Sequence, residues 1–386
     1  MIGKSAIYAI ALAVMVAVSL TISPEEPFQS PLVAKTKAVE YIGGDGKTTL
    51  RGHWYYSNKS SKSSQSSSSP IIIMAHGFGL TQDQGLQSYV QAFQQAGMNA
   101  FTFDYATFGQ SDGLPRHQIS PFDHVADLRA TIDMITTKNE NKSSTDVDVD
   151  VDVDATRIGL WGTSLAGGHV LQYSSDQTHI NSAVRAVVSQ VPHLASGMES
   201  VVIPSLTSGN PLDAIKGLGY FALGLIKWSL YTLFLNKPAY YPMVGLPGSA
   251  AMMQNPGDYS GYLKLAQQTE MPKSTAASTA ASTGTNADGW VNAAIVVGGL
   301  KVVLQYRPLS HVESIVTPTL LIAAQDDTLC PAKYVKKAHA LIAGSEYYEV
   351  GSSNNHAHGG HFDIYGGKEL QDSLEREVAF FQKHLL

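Results

Sequence analysis

Short, mostly apolar runs recur along the chain and alternate with stretches of helical composition. Strands that are apolar along their whole length must be buried on both faces, and a parallel sheet covered by helices on both sides meets this requirement. The apolar runs are residues 71–75, 99–104, 157–161, 183–191, 319–324 and 346–350. The helical stretches include residues 86–96, 121–136 and 332–342. The sequence therefore predicts an α/β fold with a mostly parallel sheet and helices on both faces.

Two further strands precede these runs. Residues 37–42 and 48–55 flank the turn at 43–46, which has the sequence GGDG. Two runs of strand composition around a glycine-rich turn are typical of an antiparallel hairpin. The predicted sheet therefore has eight strands, of which the first two are antiparallel.

Composition excludes several classes of protein. Of the 386 residues 44% are hydrophobic, which is enough to build a large core and excludes general disorder. The formal net charge is −6, from 26 basic and 32 acidic residues, so no basic surface for nucleic acid is expected. Cys330 is the single cysteine, which excludes an intramolecular disulfide and a cysteine-based zinc cluster.

The N-terminal segment predicts entry into an export pathway. Residues 6–22 form an uncharged run of 17, preceded by Lys4 and followed by the polar residues 23–26. A charged start, a short apolar core and a polar exit are typical of a secretory signal peptide. The alternative is an uncleaved membrane anchor, because 17 residues lie at the lower limit for spanning a bilayer. Residues 1–34 are therefore predicted to be a signal peptide or anchor plus linker, and the protein to be secreted or membrane-anchored.

Three stretches have the composition of inserted loops. Residues 57–69 are nearly all serine, 146–154 alternate Asp and Val, and 273–289 are rich in Ser, Thr and Ala. The Asp-Val alternation lacks the glycine and glutamate that a calcium-binding EF-hand loop requires. All three are predicted to be loops without a functional role.

The strongest chemical motif follows the fifth predicted strand. Ser164 lies between small residues, Gly162 at −2 and Ala166 at +2, after a strand and before a helix. This is the arrangement of a nucleophile elbow, in which small neighbours let the strand and helix approach closely. Ala166 replaces the glycine that usually ends the motif, so the pattern by itself is weak evidence. Its place after a buried strand makes Ser164 a candidate nucleophile.

A serine nucleophile needs a base, and the base needs an acid that orients it. Asp327 follows the seventh predicted strand in an Asp-x-x-x-Pro turn and is the preferred acid, with Asp326 as the alternative. His361 follows the last strand, after two glycines, and is the candidate base. The nearby His356 and His358 invite a metal-site interpretation, but no second ligand cluster supports it, so neither metal nor cofactor is expected.

The oxyanion donors are predicted from the turn after the third strand. The backbone N–H of Phe78 can point at a developing alkoxide, with the N–H of Leu165 as its partner. His76, in the same turn, is expected to tie the loop by hydrogen bonds rather than to act in catalysis.

Taken in chain order, these motifs resemble those of the α/β-hydrolase superfamily. The matching segments are residues 76–79 (HGFG), 104–113 (DYATFGQSDG), 162–168 (GTSLAGG), the Asp327 turn and 360–362 (GHF). Residues 157–169, 241–248 and 360–365 resemble a poorly characterised subgroup described as esterase-like or as similar to Xaa-Pro dipeptidyl peptidases. The resemblance covers about residues 35 to 386 and implies an α/β-hydrolase fold with a Ser164–His361–Asp327 triad. It departs from the usual pattern at Ala166 and at residues 106–107, where an Arg-Gly pair is common.

The resemblance also implies a division into core and lid. Residues 35–193 and 309–386 are expected to form the hydrolase core, and 194–308 a lid inserted between the sixth and seventh strands. Within it, residues 218–235 are apolar and aromatic with one charge, Lys227. This stretch either lines an apolar acyl pocket or packs wholly against the core.

The sequence thus predicts a serine hydrolase acting on a small acyl substrate, with carboxylic esters or thioesters as the favoured bond. Cleavage of peptides after proline is an alternative. A catalytically silent α/β-hydrolase fold that serves as a binding protein is another. The oligomeric state stays open.

Overall fold

The computed structural model describes the chain from residue 37 to its end, apart from several loops and part of the insertion. The described residues are 37–57, 68–140, 153–199, 237–266 without 248 and 250, 290–295, 301–351 and 360–386, with single positions between 212 and 234. The predicted leader 6–22 and the insert 273–289 lie outside them. Among the described residues, no helix is both long and apolar enough to cross a bilayer.

Eight strands form one sheet in the order β1-β2-β4-β3-β5-β6-β7-β8. Strand β1 pairs antiparallel with β2, β2 pairs antiparallel with β4, and the other neighbours are parallel. The strands are β1 (Lys37–Ile42), β2 (Thr49–Tyr55), β3 (Ser69–Ala75), β4 (Asn99–Phe103), β5 (Val153–Thr163), β6 (Val184–Gln190), β7 (Thr319–Ala324) and β8 (Glu346–Val350). The predicted eight-stranded, mostly parallel sheet is confirmed.

Helices cover both faces of the sheet. Along β5, Gly159 faces Phe381 and Trp161 faces Tyr89, so α1 and α6 cover one face. Gly162 faces α3 on the opposite side, where α2 packs beside it and α5 lies further along. The helices are α1 (Gln87–Gln95), α2 (Pro121–Glu140), α3 (Leu165–Ser175), α4 (Asp258–Ala266), α5 (Ala332–Leu341) and α6 (Gly367–Leu385).

The strands with continuous apolar sequence occupy the centre of the sheet. Every residue from Ile71 to Ala75 in β3 is fully buried, and β7 is buried along its whole length. The edge strand β1 instead alternates buried and exposed side chains. The apolar runs therefore correspond to strands that helices cover on both faces, as expected.

The ends of two predicted inserts belong to the sheet, so their assignment to loops is wrong at those ends. Ser69 pairs with Val153, and the sheet extends β3 and β5 into the serine-rich and Asp-Val stretches. Arg157 stabilises this extension because its guanidinium contacts Asp154, at 2.6 Å, and the carbonyl oxygen of Ser68, at 2.8 Å. The alternation of Asp and Val has the period of a strand, which explains why its end can pair.

The described part of the insertion between β6 and β7 lies over the carboxyl ends of the parallel strands. It contains α4 and a small antiparallel sheet of Tyr240–Tyr241 and Ala294–Ile295. Backbone and side-chain hydrogen bonds tie it to the loops after β3 and β4: Gln84 to the carbonyl of Ala266 at 2.8 Å, and Ile295 N–H to His117 at 3.0 Å.

The apolar stretch 218–235 is described only at single positions. These are Gly219, Ala222, Ile226 and Phe234, and all four are exposed. Ile226 and Phe234 expose 55% and 76% of their surface, so these two side chains do not pack against the core. The rest of the stretch lies outside the described residues.

Candidate active site

Ser164 occupies a strained turn between β5 and α3. Its backbone angles are φ 58° and ψ −120°, a combination that non-glycine residues adopt only where the surrounding structure enforces it. The Ser164 N–H donates to the carbonyl of Gln190, and its own carbonyl accepts from the N–H of His193, both at 2.9 Å. The end of β6 therefore holds the elbow in this conformation and projects the Ser164 side chain above the sheet edge.

Close approach of the strand and helix at the elbow requires glycine at position 162. A Cβ on Gly162 would lie 2.3 Å from the carbonyl oxygen of Ala166. Ala166 itself is fully buried, with its methyl group accommodated in the core. The departure from the usual pattern at position 166 is thus compatible with a closed elbow.

The structure brings together the three side chains that the sequence nominated. His361 Nε2 lies 2.9 Å from Ser164 Oγ, and His361 Nδ1 lies 2.7 Å from Asp327 Oδ2. Both His361 and Asp327 are buried, with side chains 4% and 0% exposed. The imidazole therefore stands in hydrogen-bonding distance of a hydroxyl on one side and of a carboxylate on the other.

Asp327, and not the alternative Asp326, faces the histidine. The turn after β7 exposes Asp326 to solvent and directs Asp327 inward. The second oxygen of Asp327 accepts hydrogen bonds from the N–H groups of Leu329 and Cys330, at 2.8 and 2.6 Å. These two bonds fix the carboxylate in place and leave Oδ2 for His361.

The electrostatics of the site favour the protonated imidazole. Burial alone would lower the pKa of His361, but the neighbouring Asp327 carboxylate, its hydrogen bond and the charge of Asp258 together raise it. Burial raises the pKa of Asp258 itself to about 7. Asp258 begins α4, in the insertion, and no motif in the sequence pointed to it.

The two predicted oxyanion donors stand free to bind. Within the described residues, neither the Phe78 N–H nor the Leu165 N–H donates a hydrogen bond to the protein. The loop after β3 touches Ser164, since a Cβ on Gly77 would lie 3.2 Å from Ser164 Cβ. His76 Nδ1 lies 3.1 Å from the Gly77 carbonyl oxygen. Burial lowers the pKa of His76 to about 4, so its imidazole is neutral and ties the loop as a donor.

Cys330 is a further residue that the sequence did not connect with the site. Its sulfur, a carboxylate oxygen of Asp327 and a ring nitrogen of His361 lie within 4.8 Å of one another, the one group of three metal-ligand side chains in the described part of the chain. Burial raises the pKa of the Cys330 thiol well above its usual value, and Asp327 and His361 already bond to each other. The group therefore contains one hydrogen-bonded carboxylate–imidazole pair and a thiol whose protonated form burial favours. His356 and His358 lie outside the described residues.

A second hydrogen-bonded pair links the elbow to the histidine loop. Tyr365 Oη lies 2.5 Å from Oγ1 of Thr163, the residue before Ser164, and Gln190 Nε2 donates to the same Thr163 oxygen at 3.0 Å. Tyr365 is four residues after His361, so this contact joins the segment that carries His361 to the end of β5. Sequence patterns do not identify such pairs because they join segments that are remote along the chain.

Comparison with known proteins agrees with this architecture. The family model of serine aminopeptidase, S33 matches residues 66–209. The quorum-quenching protein AidA of Acinetobacter baumannii is 27% identical over 314 residues, which cover 81% of this chain and 86% of AidA. The thiohydrolase aneE of Aspergillus aculeatus is 22% identical over 352 residues, 89% of this chain and 92% of aneE. The crystal structure of the α/β hydrolase GrgF from Penicillium has a TM-score of 0.62 at 21% identity, and covers 90% of this chain and 98% of GrgF.

The fold and the similar proteins together define the class of this protein. The sheet order, the elbow after β5 and the family match are those of an α/β-hydrolase. The chain has an α/β-hydrolase fold, is similar to the serine aminopeptidase, S33 family over residues 66–209, and is a hydrolase.

Proposed function

We propose that the protein is a serine hydrolase that cleaves carboxylic esters or thioesters through an acyl-enzyme. The observation that carries the proposal is the unbroken line of contacts from Ser164 Oγ through His361 to Asp327, at 2.9 and 2.7 Å. A serine hydroxyl is a poor nucleophile at neutral pH and becomes reactive when a base can take its proton. In this site the base is within reach and its orientation is fixed by a buried carboxylate.

The proposed reaction uses one nucleophile, one residue that acts as base and then as acid, one carboxylate and two backbone N–H groups. Ser164 Oγ attacks the substrate carbonyl carbon while His361 Nε2 takes the hydroxyl proton. The N–H groups of Phe78 and Leu165 bind the negative charge that develops on the carbonyl oxygen. His361 then gives its proton to the leaving alcohol or thiol, and the bond to the acyl carbon breaks. Water repeats the sequence on the acyl-enzyme and releases the acid, while Asp327 stays ionised and stabilises the imidazolium.

The choice between ester and thioester rests on the similar proteins and on chemistry. Relatives named as thiohydrolases support a thioester as the substrate bond. The proposal of a carboxylic ester rests on the Ser164–His361–Asp327 arrangement alone. Both bonds have a leaving group that departs more readily than an amine. A peptide bond is the second candidate, and the match of residues 66–209 to the serine aminopeptidase model favours it.

The acyl partner and the location of the protein extend the proposal. An apolar acyl chain would suit the apolar stretch 218–235, on which Ile226 and Phe234 expose apolar surface. Residues 6–22 would direct the chain into an export pathway or anchor it to a membrane. Fractionation of cells that express either the full chain or a variant lacking residues 1–34 tests the proposed role of residues 6–22. The deletion should leave the protein in the cytosol.

A fluorophosphonate probe tests the proposed nucleophile. The wild-type protein should be labelled, and the Ser164→Ala variant should not. Failure of the intact protein to react would instead support a catalytically silent binding protein. A panel of p-nitrophenyl esters of increasing chain length, acyl thioesters and proline-containing p-nitroanilides then ranks the three bonds. A profile that is flat or falls beyond acetate would contradict the apolar acyl pocket.

A further inference from the structure

We infer that the insertion between β6 and β7 positions the oxyanion loop, residues 76–79, and that Tyr262 and Trp290 are the positioning residues through which it does so. The inference rests on the proposed function, because the loop matters in this way only if Phe78 binds an oxyanion. It assigns the insertion a part in transition-state stabilisation in addition to covering the substrate.

Three successive carbonyl groups of the oxyanion loop are each bonded by a side chain. His76 Nδ1 lies 3.1 Å from the carbonyl oxygen of Gly77. Tyr262 Oη donates to the carbonyl of Phe78 at 2.7 Å, and Trp290 Nε1 donates to the carbonyl of Gly79 at 3.2 Å. The first donor belongs to the loop, whereas the second and third come from the insertion.

The hydrogen bonds to the Gly77 and Phe78 carbonyls determine the orientation of the Phe78 N–H, the proposed oxyanion donor. In a trans peptide the carbonyl and the N–H of one unit point in opposite directions. The Gly77 carbonyl and the Phe78 N–H share one peptide unit, and the Phe78 carbonyl belongs to the next. Holding both units therefore sets the direction of the Phe78 N–H, which must point at the oxyanion before the reaction begins.

The packing leaves the loop no room to turn away. Gly79 has φ +66°, and a Cβ on it would lie 2.0 Å from Met243 Sδ and 3.0 Å from Tyr262 Oη. Met243 is held in turn, because Asn292 Oδ1 accepts from its backbone N–H at 3.0 Å. Tyr262 and Met243 are both buried, and the rings of Tyr262 and Trp290 lie 5.6 Å apart. The insertion thus closes over the loop as one packed cluster.

Helix α4, which carries Tyr262, and the residues just before it also contact the loops of Asp327 and His361, the proposed acid and base. A Cβ on Gly261 would lie 2.5 Å from Phe362, the residue after His361. Asn255, just before α4, donates from Nδ2 to Thr328 Oγ1 at 3.2 Å, next to Asp327. Helix α4 and Asn255 just before it therefore contact the loops that carry Phe78, Asp327 and His361.

The Tyr262→Phe variant tests this inference, because it removes one hydroxyl and keeps the ring. We expect kcat to fall by about tenfold, less than the roughly 100- to 1,000-fold that loss of an oxyanion donor itself costs. KM should change less than twofold, since the bond acts on the transition state. The rate of fluorophosphonate labelling, which needs the same oxyanion donors, should fall by the same factor as kcat.

Two further variants complete the experiment. Trp290→Phe removes the second donor from the insertion and should act in the same direction, which keeps the test open if Tyr262→Phe does not fold. Tyr259→Phe, on the exposed side of the same helix, is the matched control and should leave kcat and KM unchanged. Unchanged kcat in both folded donor variants, or a change in KM alone, would overturn the inference. If Ser164→Ala retained full activity, the proposed function would fail instead, so the two failures are distinguishable.

Discussion

The backbones of Gly162 and Ala166 approach so closely that a Cβ on Gly162 would lie 2.3 Å from the Ala166 carbonyl oxygen. The constraint at the elbow therefore falls on the glycine before Ser164. The residue two positions after Ser164 can carry a methyl group, and Ala166 does so while fully buried. The G-x-S-x-A sequence at residues 162–166, although it lacks the usual final glycine, is thus compatible with the close packing of the elbow.

We predict that Gly162→Ala destabilises the protein. Overpacking of a closed core costs about 1–3 kcal/mol, and here the obstacle is backbone, which cannot rotate away. The melting temperature should fall and activity should be lost with it. Gly219→Ala is the matched control, because no atom of the described residues lies within 4 Å of a Cβ there. A Gly162→Ala variant as stable as the wild type would contradict the steric account of the elbow.

The two neighbouring aspartates should respond very differently to substitution. Asp327→Asn removes the charge that orients and stabilises His361, and in a serine triad such a change lowers kcat by about 10⁴-fold. Asp326→Asn alters an exposed side chain and should leave kcat within about twofold, as most surface changes are mild. Steady-state kinetics on the two variants decide the assignment. A larger loss for Asp326→Asn would reverse it.

The acidic limb of the kcat/KM–pH profile should lie at a higher pH than an ordinary histidine would give. The reaction needs neutral His361, and because Asp327 and Asp258 raise its pKa, kcat/KM should reach half its plateau above the ordinary histidine value of about 6.5. Asp258→Asn removes one of these charges, so the pKa should fall and the limb should move to lower pH. Asp133→Asn, at an exposed position on α2, should leave the profile in place. A limb that moves to higher pH in Asp258→Asn would contradict this electrostatic picture.

Glu377 should make the stability of the fold depend on pH. It is fully buried in α6, and burial raises the pKa of its carboxyl well above the ordinary value. An acid whose pKa is raised in the folded state stabilises least at high pH. The free energy of unfolding should therefore fall as pH rises above about 4.5, by up to about 1.4 kcal/mol per pH unit.

Denaturation of Glu377→Gln at a series of pH values measures this effect. The variant should gain stability relative to the wild type as pH rises from 4.5 to 8, because glutamine does not ionise. Glu375 is exposed on the same helix, so the free energy of unfolding of Glu375→Gln should depend on pH in the same way as that of the wild type. A constant difference between Glu377→Gln and the wild type across this range would show that folding does not raise the pKa of Glu377, and would contradict the prediction.

The central sheet could be predicted because its strands are apolar without interruption. Residues 71–75 and 319–324 have the continuous apolar sequence of strands covered on both faces, and both are buried strands of the sheet. Ser164, Asp327 and His361 could be nominated for a related reason: each follows a predicted strand, and the ends of parallel strands meet at one edge. The choice of Asp327 over Asp326 followed from the turn composition, and the folded loop places Asp327 against the histidine.

The contacts made by the insertion could not be predicted in this way. Tyr262 and Trp290 bond to residues 184 and 211 positions earlier in the chain. No motif or periodicity marks them, because their partners are backbone carbonyls, which every residue has. Asp258 and Cys330 are similar cases, since only the folded arrangement brings them beside His361.

Trapping of the acyl-enzyme tests the central claim most directly. The protein is mixed with an activated ester, quenched in acid within the first turnovers and analysed by intact and peptide mass spectrometry. We expect a mass increase equal to one acyl group, located on the peptide that contains Ser164 and missing from Ser164→Ala. An acyl group on any other residue, or turnover by Ser164→Ala at the wild-type rate, would contradict it.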